Sequence, residues 1–128
     1  MNLKLTEAEQ EIMQILWEKK NAFMKDILEV YQDPKPATTT IATLLKRMQN
    51  KNYVGYKLYG NSREYYPKIN KEDYFGQEMT SMLNRFFNNS VSQFASFFTS
   101  NAKLTKEQLE ELKLLIDDKI KKENDDTN

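Results

Sequence analysis

The sequence predicts a mainly α chain in two lobes, with a single β-hairpin closing the first lobe. Apolar residues recur at helical spacing in six separate stretches, and turn residues or Ser/Thr caps separate them. Between the third and fourth stretches the composition changes. Tyr53 to Ile69 is rich in aromatic and β-branched residues around the turn signal Gly60-Asn61-Ser62. The chain has 128 residues, 39% of them hydrophobic, enough for one compact core or two small lobes but not for a large enzyme.

In order, Thr6 to Glu9 fits a capping box, so the first helix starts there and runs to about Lys20. Ala8, Ile12, Ile15 and Leu16 form its inner stripe, extended by Met13 and Trp17. Asn21 to Phe23 is briefly extended, and a second helix follows from about Phe23 to Tyr31 with Met24, Ile27, Leu28 and Tyr31 inside. Lys25, Asp26 and Glu29 point outward. Pro34 and Pro36 exclude a continuous helix and force a turn.

The third helix, Ala37 to Asn52, is the one the chain is organised around. Ile41, Leu44, Leu45 and Met48 make its apolar stripe, while Thr39, Thr40, Ala42, Thr43, Lys46, Arg47 and Asn50 face away. Asn52 suits the left-handed conformation that often follows a helix. Strands over Tyr53 to Leu58 and Glu64 to Ile69 then flank a turn over Tyr59 to Arg63. Val54, Tyr56 and Leu58 share one face; Lys57 and Arg63, the latter placed at the tip, are free to reach a phosphate or a minor groove. Three helices and a hairpin make a winged helix-turn-helix domain over residues 1 to 69.

Residues 70 to 123 predict a helical dimerisation domain. Asn70 caps a helix that ends near Phe87, before Asn88-Asn89, and Ser90 to Gln93 and Thr105 to Gln108 are capping boxes opening two more. Val91, Phe94, Ala95 and Phe98 line one of these, and Leu109, Leu112, Leu115, Ile116 and Ile120 the other. So thin a lobe leaves apolar surface wet in a monomer, so Phe75, Met79, Met82, Phe86, Phe94, Phe98, Leu109, Leu112 and Ile116 are the candidate dimer contacts. The alternative is that they fold back on the first lobe as ordinary core. Lys121 to Asn128 is a charged tail, expected to be disordered over 124 to 128.

Charge and chemistry narrow the function. Cys and His are both absent, which removes thiol nucleophiles, disulfides, Cys/His zinc sites and the usual general base, so neither an enzyme nor a metal or cofactor is expected. The zero net charge hides an asymmetry: residues 1 to 69 hold 11 Lys and Arg against 8 Asp and Glu, and residues 70 to 128 hold 8 against 11. Residues 35 to 68 hold 7 cations with Glu64 as the one acid. That concentration suits double-stranded DNA.

Small side chains let a helix approach base edges, so Thr39, Thr40 and Thr43 are candidates for bases, while Lys46, Arg47, Lys57 and Arg63 have the reach and charge for phosphates. Thr38, at the start of the same helix, and Asn61, in the hairpin turn, complete the candidate DNA-contact set. The runner-up is a module whose basic face binds protein instead. No signal-peptide run and no stretch near the ~18 apolar residues of a membrane span are present, so a cytoplasmic protein without membrane insertion is the default.

LTEAEQEIMQILW, then ATTTIATLLKRMQNKNYVGYKLYGNSREYYP, then LNRFFNN and the final LTKEQLEEL resemble the penicillinase-repressor family (BlaI/MecI/CopY) over nearly the whole chain. The resemblance implies a homodimeric winged-helix repressor that binds an operator dyad through the helix matching Thr38 to Lys51, with the hairpin as wing. For the β-lactam-responsive branch it implies release by a sensor protease, or a step it triggers, with the cut aligned at Phe97-Phe98. The departures are specific. The family often opens this helix with Ser or Pro, closes it with Gly and is cut after Asn, where this chain has Ala37-Thr38, Asn52 and Phe97. The C-terminal cysteines of the copper-responsive branch are missing.

Overall fold

The computed structural model describes residues 4 to 126. Its elements are α1 (Glu7–Lys19), β1 (Ala22–Phe23), α2 (Met24–Val30), α3 (Thr38–Asn50), β2 (Val54–Tyr59), β3 (Ser62–Pro67), α4 (Lys71–Phe86), α5 (Val91–Asn101) and α6 (Lys106–Asp126). The chain divides into two compact units between Gln77 and Glu78.

In the first unit, Thr6 caps α1 in both directions: its hydroxyl accepts from the Glu9 amide at 3.2 Å, and its own amide donates to Glu9 Oε1 at 2.8 Å. Ile12, Met13, Ile15 and Leu16 are buried, as the apolar stripe requires. Ala8, placed on that stripe from its spacing, is exposed instead, and Glu9 is fully buried beside it. The helix turns its capping carboxylate inward because a cation awaits it there.

Three antiparallel strands lie in the order β1-β3-β2. Ala22 pairs with Tyr65, and β2 runs against β3 from Val54 opposite Pro67 to Tyr59 opposite Ser62. Only Gly60 and Asn61 remain for the turn, and Gly60 takes the left-handed φ of 62° that such a tight turn demands. The turn is thus shorter than the composition suggested and both strands are shifted toward it, since Tyr59 and Ser62 join the ladder. Arg63 consequently sits within β3, opposite Leu58, rather than at the tip.

The first unit's core gathers Ile12, Leu16, Ile27, Ile41, Leu45 and Met48 from the three helices, with Val54 and Tyr65 from the wing. Tyr74, from the first turn of α4, completes it. Its ring packs edge-on to Tyr53 with centroids 5.8 Å apart and lies 5.8 Å from Trp17, whose indole N–H donates to Ile69 O at 2.9 Å. The boundary expected at Ile69 therefore falls inside a packed region. Phe75 also belongs here, 5.8 Å from Trp17 and 5.1 Å from Tyr74, although its side chain stays partly exposed.

The second unit is helical throughout. α4 starts within the first unit, where Asn70 Oδ1 accepts from the Asp73 amide at 2.7 Å, and past its end Asn88 and Asn89, with φ of 54° and 58°, make the turn into α5. Ser90 caps α5 through the Gln93 amide at 3.0 Å, and Thr105 and Gln108 form a reciprocal box at α6. Phe87, Phe94, Phe97 and Phe98 cluster with ring separations of 5.6 to 5.9 Å. Part of the expected tail is not a coil, because α6 continues to Asp126 with the pairs Lys122–Asp118 at 3.2 Å and Lys119–Glu123 at 3.3 Å along it. Residues 127 and 128 of that tail lie outside the described residues.

Candidate nucleic-acid interface

Burial of Ile41, Leu45 and Met48 fixes the rotation of α3, and this leaves Thr38, Thr39, Thr40, Ala42, Thr43, Lys46, Arg47 and Asn50 exposed. The polar face read from the sequence is therefore the outward one. Thr43 carries one constraint that spacing does not reveal: its hydroxyl donates to Thr39 O at 2.9 Å. Outward it can offer only its acceptor lone pairs and its methyl group.

The seven cations of residues 35 to 68 fall into two groups. Three serve the fold. Lys35 reaches the last carbonyls of α2, at 3.0 Å from Leu28 O and 2.6 Å from Tyr31 O, satisfying a helix end and bracing the turn into α3. Lys68 donates to Asn52 Oδ1 at 2.9 Å, steadying the residue whose φ of 68° ends the third-helix segment. Lys51 donates to Glu9 Oε1 at 2.6 Å and to Lys4 O at 3.1 Å, which ties the end of α3 to the start of α1. Burial pushes the Glu9 carboxyl up, but Lys51 and the capping contacts with Thr6 outweigh it and hold the group below its usual range.

The other four cations are Lys46, Arg47, Lys57 and Arg63. Among the described residues none of their side chains has a hydrogen bond or ion pair. Arg63 instead lies over the Tyr56 ring at 4.4 Å, and Tyr56 rests 6.0 Å from the buried Tyr65. A guanidinium so stacked keeps its N–H edges outward. The ladder alternates, however, so Lys57, opposite Glu64, and Arg63, opposite Leu58, lie on opposite faces of the hairpin. These two do not form one patch. Thr38, Asn61 and Arg63 do converge, around a cleft at the start of α3.

Sequence reasoning missed Glu9–Lys51, since a charge at a capping position reads as solvated, and it missed Tyr74, which lies one place off the α4 apolar stripe. It also left Lys25 as a plain surface residue, yet Lys25 lines the same cleft. Among the described residues, no cluster of three or more acidic side chains suits a metal, and no helix is long and apolar enough to cross a membrane.

The second unit's candidate contacts have a different character. Met79, Phe86, Phe98, Leu109 and Ile116 are exposed, and Met82, Phe94 and Leu112 are half-buried; no described residue beyond Gln77 is buried at all. The Phe97-Phe98 bond lies inside α5, so it is held in a helix rather than in an open loop.

A family model described as the penicillinase repressor matches residues 5 to 118. The chain belongs to the penicillinase repressor family. It is 26% identical over 116 residues to the penicillinase repressor of Bacillus licheniformis, covering 90% of this chain and 91% of that one. It is also 26% identical over 117 residues to the methicillin resistance regulatory protein MecI of Staphylococcus aureus strain N315, covering 91% and 95%. The solution structure of the DNA binding domain of the repressor BlaI superposes with a TM-score of 0.50 at 23% identity, over 58% of this chain and 92% of that one. This similarity establishes the winged-helix fold of the first unit, and the family is one of repressors rather than enzymes.

Proposed function

We propose that this family member is a homodimeric transcriptional repressor that occupies a palindromic operator, acts in the cytoplasm and controls β-lactam resistance genes. The observation that carries this reading is the division of the cations. Of the seven cations in residues 35 to 68, the four that the fold does not use, Lys46, Arg47, Lys57 and Arg63, lie on α3 or on the wing. A duplex laid against α3 meets threonines first and cations after them, which sorts base contacts from phosphate contacts. The unburied apolar faces of α4, α5 and α6 support a second copy as the partner. Two-fold symmetry then asks for half-sites one helical turn apart, ~34 Å, or a multiple of it.

Release follows from the same economy of contacts. Cutting at Phe97-Phe98 would separate α6, with Leu109, Leu112 and Ile116, from the helices before it and weaken the dimer. Linked half-sites bind far more tightly than one, so a modest loss of dimerisation becomes a large loss of occupancy. Because the bond is helical, α5 must open locally before a protease can take it, and that makes the helix's own stability part of the switch.

A footprint on the DNA upstream of its own gene tests the binding: a protected dyad is expected, and only diffuse, sequence-independent protection would sink the reading in favour of a protein-binding module. Mass spectrometry of the chain recovered from cells before and after β-lactam exposure tests the release. Derepression with intact chains alone would eliminate proteolysis.

A further inference from the structure

The cleft at the start of α3 is lined from β1, α2, α3 and the wing, with Phe23 the residue from β1. Lys25 comes from α2, Thr38 is the first residue of α3, and Asn61, Ser62 and Arg63 come from the wing. Two cations from distant parts of the sequence line it, and no acid does. Lys25 is exposed and has no hydrogen bond or ion pair among the described residues, while Arg63 is already oriented by the Tyr56 ring. Like charges around one cleft repel each other, and nothing inside the cleft compensates them. An oxyanion would. The hydroxyls of Thr38 and Ser62 and the amide of Asn61 add neutral donors that suit a group rich in acceptor lone pairs.

We propose that this cleft seats one backbone phosphate of bound duplex DNA, held between Lys25 and Arg63, and that Lys25 is therefore a DNA-contacting residue of α2. The inference rests on the reading of α3 as the helix that enters the groove. A strand bordering that groove passes the beginning of α3, where the cleft opens beside Thr38, while Lys46 and Arg47 lie further along the helix. Phosphate contact carries no sequence information, so the seat contributes register and affinity rather than choice of operator.

The test is binding of the full-length chain to a mixed-sequence duplex and to its upstream dyad over a range of salt. Lys25→Ala is expected to weaken both complexes by about the same factor, on the order of tenfold, as loss of one charge-assisted contact does. The slope of log affinity against log salt should become shallower by about 0.9, the value for one phosphate. Lys25→Arg should retain most of the affinity. Combined with Arg63→Ala, the total fold-loss should be smaller than the product of the two single losses, because either one alone breaks the shared seat.

Unchanged affinity and slope in Lys25→Ala, with Arg47→Ala clearly weakened, would overturn the seat and leave the repressor reading standing. A changed preference between sequences, rather than a uniform loss, would overturn it as well. If the unaltered chain binds neither duplex, the repressor reading falls and the seat falls with it. The melting temperature of Lys25→Ala should match that of the unaltered chain, which separates lost contact from lost fold.

Discussion

The two units obey the same helical patterning and reach opposite outcomes. The first unit buries Ile12, Leu16, Ile41, Leu45 and Met48 to within about 1% exposure, whereas no described residue beyond Gln77 is buried despite equally regular apolar stripes. Periodicity tells which residues share a face; it does not tell what covers that face. In the first unit three helices and a sheet supply the cover from within the chain. In the second, α5 has 11 residues, below the ~12 to 15 at which an isolated helix is even marginal, so packing must sustain it. On the proposed reading that packing comes from another copy.

Cutting the chain at the division is the most severe way to press this contrast. A fragment ending at Gln77 keeps Tyr74 and the whole buried core, so it should fold, sediment as a monomer and lose operator affinity by about 10² to 10⁴ as linkage between half-sites disappears. Ending at Ile69 instead would remove Tyr74 and blur the result. If the Gln77 fragment binds the dyad as tightly as the full chain, the second unit has no part in operator affinity.

Single substitutions sharpen the same comparison. Tyr74→Ala empties a fully enclosed site between Tyr53 and Trp17 and should cost the first unit about 3 to 5 kcal/mol, independent of protein concentration. Leu112→Ala should behave differently: a residue buried only in a dimer lowers the melting temperature by an amount that shrinks as protein concentration rises. Thermal melts at two concentrations separate the cases, and a concentration-independent Leu112→Ala shift would argue for a core closed within one chain.

The Glu9–Lys51 pair gives the first unit an acid limit. The Glu9 carboxyl is held below its usual range in the folded chain, so the pair contributes fully above that range and is lost as pH falls through the lower folded value. Glu9→Gln should cost about 3 kcal/mol at neutral pH, because it leaves a mostly buried ammonium without its counter-charge. Urea titrations should show the unaltered chain losing stability below about pH 5 while the variant's curve is flatter there. Equal acid sensitivity in both would mean that other carboxylates set the limit.

These cases also mark how far the residues can be read unaided. The helices, the capping boxes at Thr6 and Thr105 and the hairpin were legible because each depends on neighbours a few places away. What resisted depends on register and on distant partners. Arg63 moved from the tip into β3 because the ladder closed around Gly60-Asn61. Gly55 looks incidental in the sequence, yet a Cβ there would lie 2.7 Å from the Tyr66 ring, a closeness set by cross-strand pairing. Lys35, Lys51 and Lys68 look like any other cations until their carbonyl, carboxylate and amide partners are known. The candidate site was readable as a set of residue types, and the structure separated the cations engaged by the fold from those left without a hydrogen-bond or ion-pair partner among the described residues.

The smallest expected effect lies on the outward face of α3, where the first unit's rigidity meets a choice of base. Because the Thr43 hydroxyl donates to Thr39 O, its oxygen can accept from the amino group of adenine or cytosine, but its proton is not available to the guanine acceptors. Thr43→Val keeps the shape, replaces that oxygen with a methyl and leaves the exposed helix with a stability change of only a few tenths of a kcal/mol. The preference at one operator position should then move away from a base that donates and toward the thymine methyl, by about 1 kcal/mol. Competition binding with the dyad varied at one base pair at a time reads this directly. An equal loss for every base would show that Thr43 contacts the backbone, and the division of threonines for bases and cations for phosphates would then fail on α3 itself.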